Sequence, residues 1–331
     1  MACGGLASAQ QVVVTHGNGP ILGGSASLIR GNTTRASFAV GVEPWWAAFD
    51  RTGARFYVVD RRPDNGGQGE LVVLDANTQT VITRLPLGLL PGDISIQPLG
   101  TKAYVPVTGA NRVAVIDLTA NSEIASIPVI GPAHVAFDAT GARAYVTTDD
   151  LSPAGALTTI DTTTDTVTSS ITFPFAVGSV AVSPEGARAY VASAGSVVEV
   201  DMNLRTIVQT IPVGETVGGL IIHPSGNEVY VEVVCVTGDT TCSQPGSVGV
   251  LDRGLGSLRA AVGVGNQPQD MTLDPRGRYL LVTSATDHAL TKIRLGCFPR
   301  RRRPVPTKDG TFGIAIRPNG PTRTPRPPCG L

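Results

Sequence analysis

The stretch Gly178–Gly214 reads GSVAVSPEGARAYVASAGSVVEVDMNLRTIVQTIPVG, with four short apolar segments separated by polar turns. The segments are rich in Val, Ala and Ile, which suit the pleated, half-buried surface of a strand. Turns at Ser183–Gly186 and Met202–Arg205 lie between the first and second segments and between the third and fourth. Four antiparallel strands in about forty residues are typical of one blade of a β-propeller.

The same pattern recurs along the chain, and a glycine marks each turn between a first and a second strand. These glycines are Gly53, Gly100, Gly141, Gly186, Gly226, Gly277 and Gly320, at intervals of 40 to 51 residues. A β pattern that repeats with a period in the forties indicates a propeller. The first copy lacks its first strand, whereas Phe312–Ile316 reads as a first strand with no later strands. We therefore predict an all-β, seven-bladed propeller of four-stranded antiparallel blades, closed by the C-terminal strand completing the N-terminal blade.

Domain boundaries follow from the extent of the repeat. We expect the propeller over residues 10–320, a signal-peptide remnant or flexible N-terminus at 1–9, and a Pro/Arg-rich tail at 321–331. Ala7-Ser8-Ala9 has the small-x-small form of a signal-peptidase site, and Met1–Gly5 resembles the end of a lipoprotein signal. Both readings predict a periplasmic or extracellular protein, and an ordinary flexible N-terminus is the alternative.

Composition excludes some partners. The 331 residues carry a net charge of zero and only 16% charged residues, so the charge of the whole chain gives no case for nucleic acid or an anionic membrane. No apolar run approaches the ~20 residues of a membrane-spanning helix. We expect a monomer without a cofactor.

Two cysteines lie inside a long insertion in one repeat. Cys235 and Cys242 flank six residues, and in an oxidising compartment a local disulfide is the natural expectation. A zinc site is the weaker alternative, because no Cys-x-x-Cys motif or pair of histidines accompanies them. We predict no metal site elsewhere in the chain.

The segment Gly296–Leu331 is strongly basic. It holds eight Arg and Lys residues against one Asp. Such a charge could anchor the protein to an acidic polymer or membrane surface. The alternative, which we favour, is a protected edge strand at Pro299–Pro304, followed by a disordered tail from Pro321.

The second strands carry a recognisable tetrapeptide. It reads Tyr57–Asp60, Tyr104–Val107, Tyr145–Thr148, Tyr190–Ser193 and Tyr230–Val233, with a degenerate copy at Leu281–Ser284. Together with the ending Ile211–Gly214, these segments resemble the YVTN family of β-propeller repeats over roughly residues 10 to 320. The resemblance implies an exported or surface-layer-associated protein. Similar propellers also serve as lactonases, lyases and electron-transfer domains, so it leaves the function open.

One aligned position, just before each first strand, faces the mouth of the central channel. Its residues are Trp46, Asp93, His134, Ser179, Gly219, Asp270 and Gly313. We take Trp46, Asp93, His134, Ser179 and Asp270 as candidate ligand-binding residues, because carboxylates, an imidazole and an indole on one mouth could bind a small ligand or cation, or supply a general base. We expect Asp93 and His134 to approach within hydrogen-bonding range. The alternative is a solvated polar funnel without a ligand.

Two functional hypotheses result. The first is an exported, non-enzymatic propeller that serves as a binding or surface-layer scaffold module for a small molecule, a protein or a cell-surface polymer. The second is a lactonase-like hydrolase or lyase working from the channel mouth. The sequence contains no Gly-x-Ser-x-Gly, no P-loop and no metal-spaced histidine cluster, so no catalytic residue is assigned.

Overall fold

The computed structural model describes residues 11–17, 23–62, 65–148, 154–214, 216–234, 246–296, 300–301, 304–307 and 311–318. Within these ranges the chain is almost entirely β structure, with one short 3-10 turn at Thr108–Ala110. None of the helical structure in this part of the chain is long and apolar enough to cross a membrane. The predicted disulfide of Cys235 and Cys242, the N-terminal segment 1–9 and the tail 321–331 lie outside the described residues.

The strands form seven antiparallel sheets, which we name blades A to G. Blade A contains β29 (Thr311–Ile316), β1 (Gln11–His16), β2 (Gly24–Arg30) and β3 (Thr33–Gly41). Blade B contains β4 (Pro44–Phe49), β5 (Arg55–Asp60), β6 (Gln68–Asp75) and β7 (Val81–Leu89). Blade C contains β8 (Ser95–Ile96), β9 (Lys102–Val107), β10 (Arg112–Asp117) and β11 (Ser122–Pro128). Blade D contains β12 (Pro132–Phe137), β13 (Arg143–Thr148), β14 (Gly155–Asp161) and β15 (Thr166–Phe173).

The remaining blades repeat this order. Blade E contains β16 (Val177–Val182), β17 (Arg188–Ser193), β18 (Ser196–Asp201) and β19 (Thr206–Pro212). Blade F contains β20 (Thr216–Ile222), β21 (Glu228–Val234), β22 (Ser247–Asp252) and β23 (Ser257–Gly263). Blade G contains β24 (Pro268–Leu273), β25 (Tyr279–Ser284) and β26 (Ala289–Arg294). Its outer edge is interrupted, because β27 (Arg300–Arg301) and β28 (Val305–Pro306) both pair with β26.

The ring closes through blade A. Strand β29 pairs antiparallel with β1, with Val13 opposite Ala315 and Val14 opposite Ile314. Beside this pairing, the Arg317 guanidinium donates to Gln11 Oε1 at 2.7 Å. The prediction of seven four-stranded blades closed by the C-terminal strand is therefore confirmed. Closure pairs the inner strand of the N-terminal blade and removes an open sheet edge.

The hydrophobic core lies between adjacent blades, and the second-strand tyrosines are its largest side chains. Tyr57, Tyr104, Tyr145, Tyr190 and Tyr230 are all fully buried. Each occupies the same place in its blade and packs in a separate hydrophobic cluster, so the repeated Tyr-Val pair contributes to five of the seven clusters formed by the described residues.

The aspartates that end five of the third strands bond to the turns that follow them. In each case one carboxylate oxygen accepts backbone N–H groups two and three residues later, at Asp75, Asp117, Asp161, Asp201 and Asp252. Such bonds satisfy turn donors that the sheet leaves unpaired.

Candidate functional site

The first strands of all seven blades surround one cavity of about 710 Å³ on the ring axis. All seven residues of the aligned ring position line it: Trp46, Asp93, His134, Ser179, Gly219, Asp270 and Gly313. The predicted placement just before the first strand is wrong for six of them, which lie inside that strand, whereas Asp93 does precede β8. In blades B, D, E, F and G the strand pairing is irregular next to this position. Such a bulge re-aims a side chain, here towards the axis.

Asp93 and His134 meet across the interface between blades C and D. His134 Nδ1 lies 3.3 Å from Asp93 Oδ2, and 34% of the histidine side chain is exposed against 23% of the aspartate. The other carboxylate oxygen, Asp93 Oδ1, is buried and has no hydrogen-bond partner among the described residues. The pair therefore leaves one acceptor unused at the cavity wall.

Asp270 connects blade G to blade A. Its carboxylate accepts the N–H of Met271 at 2.8 Å and the N–H of Ile314 in β29 at 3.0 Å. Asp270 as a whole residue is half-buried, but its carboxylate lies between β24 and β29 and bonds to the backbone of both. Burial raises the pKa of Asp270 to about 8, helped by the negative charges of Glu232 and Asp93 and opposed by the two backbone donors. Both oxygens of the Asp270 carboxylate therefore already accept backbone hydrogen bonds that hold blades G and A together.

Glu232, which sequence reasoning missed, is the third carboxylate of the cavity. It lies on β21, the second strand of blade F, and is only 1% exposed. Its Oε2 accepts the N–H of Gly219 at 2.7 Å, whereas its Oε1 is buried and has no partner among the described residues. Burial raises the pKa of Glu232 to about 7.

A glycine in the ring gives Glu232 access to the axis. A Cβ at position 219 would lie 2.7 Å from Glu232 Oε2, so no larger residue fits there without moving the carboxylate. One signal could have identified Glu232, because it stands at the third position of the Tyr-Val tetrapeptide. The equivalent residues there are uncharged: Val59, Pro106, Thr147, Ala192 and Thr283.

The two tryptophans of blade B, Trp45 and Trp46, contact aromatic rings. Trp45 stacks on Phe312 of blade A, with ring centroids 4.6 Å apart. The Arg61 guanidinium lies over the Trp45 ring, 4.8 Å from its centroid. Trp46 packs against Trp45 at 5.2 Å, and both line the cavity. Trp45 therefore provides aromatic packing between blades A and B.

Ser179 also has a role in the ring. Its hydroxyl accepts the N–H of Leu220 at 3.1 Å and so connects blades E and F. At the seventh position a Cβ on Gly313 would lie 2.0 Å from the carbonyl oxygen of Trp45, so blades A and B can approach only over a glycine. Some residues at the ring position therefore hold neighbouring blades together, as Ser179 and Gly313 do, whereas Asp93 and Asp270 place carboxylates in the cavity wall.

The charge of the cavity wall is one-sided. Asp93, Glu232 and Asp270 line it, and no Arg or Lys occurs among the described lining residues. In the part of the chain described, no three His, Cys, Asp or Glu side chains are grouped so that they could hold one metal ion.

The fold defines a seven-bladed β-propeller with an acidic axial cavity. Hydrazine synthase from Kuenenia stuttgartiensis is similar in fold, with a TM-score of 0.71 and 19% identity over 82% of this chain and 89% of that one. A "putative 6-phosphogluconolactonase" from Bacteroides uniformis is similar with a TM-score of 0.73 and 14% identity, over 92% of this chain and 99% of that one. A functionally unknown protein from Desulfotomaculum acetoxidans gives a TM-score of 0.72 and 15% identity, over 92% and 98%. No family model and no curated protein matches the sequence. These likenesses concern the fold alone.

Proposed function

We propose that this chain is an exported, non-enzymatic binding propeller that holds a small molecule in its axial cavity. The observation that carries the proposal is Glu232, whose carboxylate is buried, lines the cavity and has one oxygen without a partner among the described residues. A buried acceptor that is left unpaired costs about 1–3 kcal/mol. A bound molecule that offers an N–H or O–H group would remove this cost, and so would a water molecule in its absence.

The export and cell-surface parts of the proposal rest on the sequence repeat, the N-terminal segment and two cysteines. The tyrosines of the Tyr-Val pairs are buried at equivalent places in five blades, which supports assignment to the YVTN repeats that the sequence resembles. Ala7-Ser8-Ala9 and the spacing of Cys235 and Cys242 favour a periplasmic or cell-surface location. Free thiols at both cysteines in protein recovered from the periplasm would contradict the oxidised hairpin that this location predicts.

A second candidate function, lactone hydrolysis, is favoured by the Asp93–His134 pair. In that reaction His134 would take a proton from water, the resulting hydroxide would add to the lactone carbonyl, and the ring C–O bond would break as the proton passes to the leaving alkoxide. The carboxylate of Asp93, 3.3 Å from Nδ1, would hold the imidazole in place. The similar fold of the Bacteroides protein raises the same possibility by analogy only.

The charge of the cavity argues against a phosphorylated lactone as the substrate. A phosphate group carries negative charge and is normally held by Arg, Lys or backbone donors. Here three carboxylates line the wall, and the described lining residues include neither Arg nor Lys. A neutral lactone is therefore the substrate class to assay.

The test compares ligand binding by the wild type, Glu232→Gln and a control, Glu123→Gln. Glu123 lies on the outer strand of blade C and pairs with Arg112, away from the cavity. Thermal shift and calorimetry are run with neutral lactones, sugars, amines and divalent cations. We expect at least one compound to bind wild type and control alike and to bind Glu232→Gln at least tenfold more weakly. Failure of every compound to bind would overturn the binding proposal. Lactone turnover that disappears in Asp93→Ala and His134→Ala would establish the hydrolase instead.

A further inference from the structure

The two unpartnered carboxylate oxygens of the cavity belong to blades on opposite sides of the ring. Asp93 comes from blade C and Glu232 from blade F. Contacts between neighbouring first strands run around the ring in the order A to G and back to A. Blade C is therefore three blades away from F in one direction and three away from G in the other, which is the largest separation in a ring of seven.

Each side of the cavity thus has one acidic pole with an open acceptor. The first pole is Asp93, whose Oδ2 contacts His134 while its buried Oδ1 has no partner among the described residues. The second is Glu232, whose Oε2 accepts from Gly219 while its buried Oε1 has no partner among the described residues. The Asp270 carboxylate interacts electrostatically with both poles. An ionised carboxylate accepts hydrogen bonds and donates none, so both poles require donors.

Between the poles the wall carries apolar side chains beside polar ones such as Ser179, Gln269 and Thr272. Val135, Val180, Leu220 and Ile314 line the cavity, with the indole of Trp46 on blade B. Methylene groups would be removed from water against such a wall, at roughly 0.8 kcal/mol for each one that is fully buried. An ammonium group near an indole face also gains a cation–π attraction.

Resting on the proposed binding function, we infer that the ligand is a linear diamine whose two ammonium groups bind Glu232 and Asp93 across the axial cavity. An ammonium group offers three N–H donors and a positive charge, which is what an unpartnered carboxylate oxygen lacks. The methylene chain between the ammonium groups can pack against the apolar side chains of the wall, such as Val180 and Leu220. The cavity of about 710 Å³ is larger than such a chain and leaves room for water around it.

The protonation of the empty site agrees with this ligand. Burial raises the pKa of Glu232 to about 7 and that of Asp270 to about 8, so the empty cavity carries protons at neutral pH. A dication favours the charged forms of both carboxyls and displaces those protons. Binding should therefore release protons into the solvent.

The experiment titrates the wild type with α,ω-diamines from 1,3-diaminopropane to 1,8-diaminooctane. Monoamines and diols of matched length are the ligand controls. Because the two poles are held at a fixed separation, we expect affinity to peak at one chain length. At that length the monoamine should bind at least tenfold more weakly, and the diol should show no binding. Calorimetry at pH 7 in two buffers of different ionisation enthalpy measures the proton release.

The variants locate the two ends of the ligand. Glu232→Gln and Asp93→Asn, which keep the side-chain shape and remove the charge, should each weaken the best diamine tenfold or more. In Asp93→Asn the diamine should bind no more tightly than its monoamine, and Glu232→Gln should also lower the proton release. Glu123→Gln should bind within twofold of the wild type, and circular dichroism confirms folding of every variant.

Other results would overturn the inference. The inference is wrong if a diol binds as tightly as the diamine, or if affinity rises steadily with chain length. It is also wrong if diamine binding survives both substitutions. If a lactone or sugar binds through Glu232 and no diamine binds, the diamine is wrong and the binding function stands. If no compound binds, both are wrong.

Discussion

Two buried carboxylates on second strands, Asp60 in blade B and Glu232 in blade F, have opposite hydrogen-bond status. Asp60 is 0% exposed, and its two oxygens accept the N–H groups of Val42 at 2.9 Å and Glu43 at 2.7 Å. Glu232 is 1% exposed, but only one of its oxygens has a partner among the described residues. Burial raises the pKa of both carboxyls. Burial and a perturbed pKa therefore do not distinguish a structural carboxylate from a candidate ligand group, whereas the unpaired oxygen facing a cavity does.

The largest effect should come from removing Asp60. Its carboxylate holds the backbone between blades A and B, so Asp60→Ala leaves two N–H groups without their acceptor. We expect a loss of up to about 4 kcal/mol in the free energy of unfolding, since an unsatisfied donor costs about 1–3 kcal/mol when buried and both of these are half-buried. Urea denaturation at pH 6 measures it. Glu123→Ala, at an exposed ion pair, should change stability by less than about 0.5 kcal/mol, and a similar small change for Asp60→Ala would remove the contrast.

The pH dependence of stability should separate Glu232 from the other carboxyls. Its pKa rises on folding from 4.5 to about 7, so the folded state holds the proton more strongly. This stabilisation is fully present below about pH 4.5 and is lost as the pH rises through 7, a loss on the order of 3 kcal/mol. Asp270 and Asp60, whose pKa values are also raised, contribute with the same sign.

The contribution of Glu232 to this pH dependence is the difference between the wild type and a variant without the carboxyl group. Urea midpoints at pH 5, 6, 7 and 8 are measured for the wild type and for Glu232→Gln. We expect the two curves to diverge as the pH rises, because the variant has no carboxyl to ionise, and the variant to be the more stable protein at pH 8. Parallel curves would mean that Glu232 ionises in the folded protein as easily as in the unfolded chain.

A smaller effect should follow from filling the space that lets Glu232 reach the axis. In Gly219→Ala the new Cβ would lie 2.7 Å from Glu232 Oε2 and must displace the carboxylate. We expect a destabilisation of about 1–2 kcal/mol, since the bond from the Gly219 N–H is weakened and the site is overpacked. Gly178→Ala is the matched control on blade E, because its Cβ would meet only Ala192, at 3.8 Å. Equal effects of the two substitutions would show that Glu232 moves without cost.

The fold was predictable because its determinants are repeated in most of the blades. The tyrosine of the second strand, the aspartate after the third and the glycine of the first turn each act within one blade or on its immediate neighbour. For the same reason the ring position could be aligned, and it does bring Asp93, His134 and Asp270 to one cavity. Strand boundaries were less accurate, because the bulges at the ring position extend the first strands beyond their apolar residues.

The repeat marks Glu232 as the charged residue at its tetrapeptide position, but it does not predict that Glu232 reaches the cavity, because that depends on one pair of residues. It reaches the cavity from a second strand, and it does so only because Gly219 on the adjacent strand has no side chain. Asp60 shows the same dependence, since a Cβ on Gly41 would lie 2.0 Å from its Oδ2. An alignment of blades compares equivalent positions and does not compare a position with its neighbour across the sheet.

The smallest effect on stability should come from Asp93→Asn. The contact between Asp93 and His134 is partly solvated, with 23% and 34% of the side chains exposed, and pairs of this kind contribute about 0–1 kcal/mol. The asparagine keeps a side-chain oxygen for the His134 ring and places an amide at the unpaired position. We expect the free energy of unfolding to change by less than about 0.5 kcal/mol at pH 7 in urea denaturation without ligand. A loss of stability as large as that of Asp60→Ala would show that Asp93 is a structural carboxylate. Glu232 would then have no partner carboxylate across the cavity for the second ammonium group. An unchanged stability, combined with weakened diamine binding, would place Asp93 with Glu232.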